Sequence, residues 1–151
     1  MVPMEVHERI LLAVTTAPPP EPGWFAARQP GIVRYLEVRC GGANEAFGVA
    51  LHAAALLHAA YEKTIGASPR RIPSQALERA EEVVLAECDA PVPPGFVARQ
   101  PALATFVAGV VAAPPVPLDD EEQTVLSRTL SAVIVALDEV SRDGSAERSE
   151  L

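Results

Sequence analysis

A near-identical hexapeptide occurs twice in the chain. Residues 25–30 read FAARQP and residues 96–101 read FVARQP, so five of six positions agree at an offset of 71. Self-similarity at a fixed offset is what a duplicated architecture produces, and it points to a fold built from two copies of one unit. The flanks agree with this. Each hexapeptide follows a Pro/Gly-rich segment, Pro18–Gly23 and Pro91–Gly95, and each precedes a short apolar stretch. At the same offset Ile32 pairs with Leu103, Tyr35 with Phe106, Leu36 with Val107 and Cys40 with Val111. Upstream, at an offset of 70, His7-Glu8-Arg9 faces Leu77-Glu78-Arg79 and Val14 faces Val84. Downstream, at an offset of 77, Val49 faces Leu126, Ala53 faces Leu130, Leu56 faces Val133 and Leu57 faces Ile134. The extra residues of the second copy fall in the loop Ala112–Asp120.

Between the breaks the apolar spacing is three and four, the period of a helix and not of a strand. Val6, Ile10 and Val14 form one such face; Ile32, Tyr35, Leu36 and Cys40 another; Leu77, Val84 and Cys88 a third; Leu103, Phe106, Val107, Val110 and Val111 a fourth. The two longest segments are Asn44–Ile65 and Asp120–Ser141. Asn44 is placed to cap the first, and Asp119 or Asp120 the second, where the acidic run Asp119–Glu122 also meets the positive end of the helix dipole. The fold expected is all-α: about six helices in two related three-helix repeats, forming one bundle with pseudo-two-fold symmetry around the long helices. The boundaries are 1–66 for the first repeat, 67–73 for the connector, 74–141 for the second repeat and 142–151 for a flexible acidic tail, the whole being one compact domain. Units of about 70 residues are marginal alone, which favours a shared core. The adjacent acids Glu81–Glu82 and Asp138–Glu139 read as solvated faces, since neighbours on a helix point to different sides.

The charge is −8 overall and lopsided: residues 1–75 carry 7 basic and 6 acidic residues, residues 76–151 carry 5 and 14. Nucleic acid and anionic membranes repel such a chain. A basic protein partner would be attracted by its second half, and solubility is the plainer account of the same charge. The longest apolar stretch, Val49–Tyr61, is broken by His52 and His58 and is too short to span a bilayer. Two cysteines, Cys40 and Cys88, make no framework and read as reduced thiols, which suits the cytoplasm.

No catalytic signature is present: no G-x-S-x-G, no H-E-x-x-H, no phosphate loop and no dinucleotide fingerprint. His52 and His58, six apart, point to different faces of a helix, so they cannot share an ion. His58 and Glu62 could, but the residue aligned with His58 is Val135, and a position that accepts valine reads as packing. Cys40 aligns with Val111 and reads the same way. No metal or cofactor is therefore expected. The candidate binding residues are Trp24, Arg28 and Arg99. The two arginines are equivalent in the repeat, and each is placed either to tie its linker to a helix or to grip an anion. Trp24, whose aligned residue is Gly95, reads as a lid on the core or an exposed anchor.

The function expected is a non-catalytic, intracellular protein–protein interaction or regulatory module, binding a protein partner or a second copy of itself. Two alternatives come from other classes. One is an immunity- or antitoxin-like acidic protein that neutralises a basic enzyme. The other is a small-molecule binder with a pocket between the repeats, near Arg28 and Arg99.

Overall fold

The structure is a computed structural model, and it describes residues 4–16, 22–41, 45–66, 69–87, 107, 109–110 and 118–149. The described residues form six helices and no strand: α1 (Met4–Thr16), α2 (Pro22–Arg28), α3 (Pro30–Cys40), α4 (Glu45–Ile65), α5 (Ser74–Glu87) and α6 (Asp120–Ser149). They pack as a bundle. The long helices α4 and α6 lie against each other at its centre, with α1, α2 and α3 on α4, α5 on α6, and α3 also touching α5 and α6. None of the helices is long and apolar enough to cross a membrane.

Most helix ends follow from local chemistry. Pro22 and Pro30 open α2 and α3 at positions where a missing N–H costs nothing. Pro30 also ends α2, because the residue before a proline is pushed out of the α region. Gln29 accordingly has φ −133° and ψ 64°. Gly41 closes α3 in the left-handed conformation (φ 81°), donating its N–H to the Glu37 carbonyl. At the start of α6, Asp119 and Glu122 form a reciprocal capping box. The Glu122 N–H donates to Asp119 Oδ1 at 2.8 Å, and the Asp119 N–H to Glu122 Oε1 at 3.2 Å. Asn44, the cap expected for α4, lies outside the described residues.

The core is made largely of small side chains. Ala50, Ala53 and Ala54 of α4 are buried, as are Ala132 and Ala136 of α6, with Leu126, Leu130, Val133, Ile134 and Leu137 filling between them. The buried hydroxyls of Ser131 and Thr129 bond back to their own helix, at Ser127 O and Leu126 O. Two acids expected on solvated faces are structural instead. Asp138 is buried and accepts the Tyr61 hydroxyl across α4 and α6. Glu81 accepts from Tyr35 and, at 2.9 Å, from Arg39 Nε, which clamps α5 to α3. A long-range partner opposite each acid decided its place, and spacing within one helix does not reveal that. Their neighbours Glu82 and Glu139 are exposed. At the C-terminal end, α6 continues through Ser149, beyond the expected start of a tail at 142.

The connector is fixed by the first hexapeptide. Gln29 is fully buried; its amide accepts the Ile72 N–H at 2.9 Å and donates to the Arg70 carbonyl at 2.9 Å and to that of Pro69 at 3.4 Å. Gln29→Leu should leave the buried Ile72 N–H without an acceptor and cost about 2 kcal/mol, read from urea unfolding at pH 7. An unchanged midpoint would mean that water replaces the amide freely.

Candidate functional site

Two features of the bundle surface carry chemistry: a polar cluster under α2 and a groove between α5 and α6. The cluster assembles from two turns of α4 and one face of α2. Phe25 drops into the core, as its place in the hexapeptide predicts, and Trp24 beside it is half-buried. Both rings meet the His58 imidazole edge to face, with centroids 5.4 Å away for Trp24 and 5.7 Å for Phe25. Arg28 lies with its guanidinium 5.2 Å from the Trp24 ring centre and 3.6 Å from Glu62 Oε1. Trp24 and Arg28 are thus brought together over His58 and Glu62 of α4. Arg99 lies outside the described residues, as do Cys88 and Phe96.

His58 is fully buried, and neither ring nitrogen has a hydrogen-bond partner. Glu62 Oε2, also unpartnered, stands 4.0 Å from its Nδ1. Burial, with the Arg28 charge adding to it, lowers the imidazole pKa to about 4. The ring is therefore neutral at pH 7, and its contact with Glu62 is not an ion pair. Among the described residues no three His, Cys, Asp or Glu side chains converge as a metal site. Cys40 is buried, and burial raises its thiol pKa. A thiol so placed is a poor nucleophile.

The groove has a volume of about 330 Å³. Ile72 of the connector, Ala76 and Ala80 of α5 and Ala136 of α6 line its base, Val83, Val135 and Val140 its walls, and Arg79 and Glu139 its polar edge. Val83 is 49% exposed, one of three large apolar side chains so placed among the described residues. The sequence reading passed over this surface. The signal available was Val83 itself, an apolar residue that directly follows two glutamates. What spacing alone lacks is which neighbour α5 meets, and so which of its apolar residues stay uncovered.

Comparison with known proteins gives no match: no family model, no curated protein and no solved structure.

Proposed function

We propose that the chain is a non-catalytic protein-interaction module whose docking surface is the α5–α6 groove. The observation that carries this reading is an open apolar groove with Ile72 and three alanines at its base, lined mostly by the acidic half of the chain. Small residues at the base let a partner helix approach closely, and an amphipathic helix laid in a groove is a recurrent recognition mode. Helices α5 and α6 together hold eleven acidic residues against four basic ones. The partner that fits is therefore an apolar helix face flanked by lysine or arginine. A basic enzyme presenting such a helix would make the chain an immunity-like inhibitor.

The same reading takes the bundle as two related halves about a pseudo-two-fold axis. Two observations support it. The helix pairs α1–α4 and α5–α6, which correspond under the sequence offsets, each pack directly against one another. Tyr61 and Asp138, which bond to each other, are 77 residues apart, the offset that aligns α4 with α6. A residue meets its own counterpart only near a two-fold axis.

The test is a titration of the full chain with a synthetic amphipathic helix, leucines on one face and lysines at its flanks, followed by fluorescence anisotropy. Saturable binding is expected, weakening with salt and falling at least tenfold in Val83→Glu. Equal binding to that variant, or no binding at all, would remove the groove as the docking surface.

A further inference from the structure

The buried imidazole of His58 sits where one short helix meets the bundle. Trp24 and Phe25 of α2 close on it edge to face, and Arg28, one turn on, reaches Glu62 at 3.6 Å. The seven-residue α2 thus meets α4 around a fully buried ring whose two nitrogens have no hydrogen-bond partner. A positive charge on that ring would be costly, because it is cut off from water. On its own helix it has Glu62, with Oε2 4.0 Å from Nδ1, and Arg28 already draws on that carboxylate. From α6 come Asp138, which Tyr61 engages, and the half-buried Arg128, a cation that gives a protonated ring no support. The charged side chains described on α1 and α3 are exposed.

We propose that α2 is an acid-released strap: a proton taken up by His58 undocks α2 from α4, hinged at Gln29, while the rest of the bundle stays folded. The imidazolium is tolerated where water reaches it, and water reaches it once Trp24 and Phe25 lift away. Its charge also competes with Arg28 for Glu62 and so weakens the ion pair between the two helices. Gln29 sets the limit of the movement. It is fully buried and bonded to Pro69, Arg70 and Ile72, which keeps the start of α3 in place. Release uncovers Phe25, fully buried when docked, and Trp24, half-buried, and so gives the chain an aromatic surface that the docked form lacks. The docked ring takes a proton at about 4 and a freed one near 6.5. Docking is therefore firmest above pH 6.5, and its opening equilibrium rises about a hundredfold from pH 7 to pH 4.

Native-state hydrogen exchange of the full chain, with small additions of urea, separates this local opening from unfolding of the whole. A seven-residue helix does not hold alone in water, so undocking frees the amides of Ala27, Arg28 and Gln29. Their protection, corrected for the intrinsic rate, should fall about a hundredfold from pH 7 to pH 4 and be indifferent to urea. It should also stay below that of Leu57 and Tyr61 in α4. His58→Phe should remove the fall. If that variant does not fold, His58→Val, which puts at this position the residue found at Val135, should do the same. Exchange of the α2 amides in step with Leu57 and Tyr61, faster in urea, would overturn the proposal, as would a fall that persists without the imidazole.

Discussion

Replacing His58 with phenylalanine should abolish most of an acid-induced loss of stability that the natural chain shows between pH 6.5 and pH 4. An unfolded imidazole titrates near 6.5, whereas burial holds this one at about 4. Between those values the unfolded chain takes up a proton that the folded chain refuses. The stability of the folded state is therefore whole above pH 6.5, falls as pH drops, and stops falling from this cause below about 4. The loss over the interval is about 3 kcal/mol. Protonation also sets a second cation beside Glu62, in competition with Arg28 for the carboxylate that ties α2 down. Phenylalanine keeps the ring among Trp24 and Phe25 and removes two nitrogens that have no partner, so the variant should be more stable at pH 7 as well, by about 1 kcal/mol. Urea midpoints from pH 4 to 7.5 for both proteins test this. The two proteins differ only in this side chain, so the difference between the curves isolates His58 together with its contact to Glu62, and parallel curves would refute the assignment.

Gly31→Ala should be comparably damaging for an unrelated reason. A Cβ at Gly31 would sit 2.1 Å from the Ile72 carbonyl oxygen and 3.2 Å from the Pro73 Cα, both backbone atoms that cannot rotate away. The start of α3 would have to part from the connector that Gln29 holds, at a cost of about 3 kcal/mol. For a chain of this size that lowers Tm by about 10 °C. Gly48, exposed on α4 with nothing within 4 Å of a built Cβ, is the control. Alanine there should raise stability by up to about 1 kcal/mol, through helix propensity alone. Equal melting of the two alanine variants would mean that the contact at Gly31 yields easily.

The sequence offsets place an alanine, Ala102, opposite Gly31. The connector lies against the first hexapeptide, and the glycine is found on the side it touches. The repeat was legible because it is written in consecutive residues. So was the buried face of α3: Ile32, Tyr35, Leu36 and Cys40 are its buried residues. The short helix α2 is hidden in the sequence, because Pro22 and the prolines before it outweigh seven residues of periodicity. Of the candidate site, Trp24 and Arg28 were found and their partner Glu62 was weighed only as a metal ligand. Glu81 and Asp138 were misplaced because a tyrosine 46 and 77 residues away, respectively, decides their environment. Contacts at that range leave no mark on local pattern.

The grip of Gln29 on residues 69–72 has a bearing on how the two halves could ever be parted. The stretch joining them is seated in the first half as firmly as any helix, so it serves as masonry as well as thread. A nick between Gly66 and Pro69 would sever the backbone and free neither piece: the amide of Gln29 would still hold the downstream fragment by its first residues, and α6 would still lie along α4.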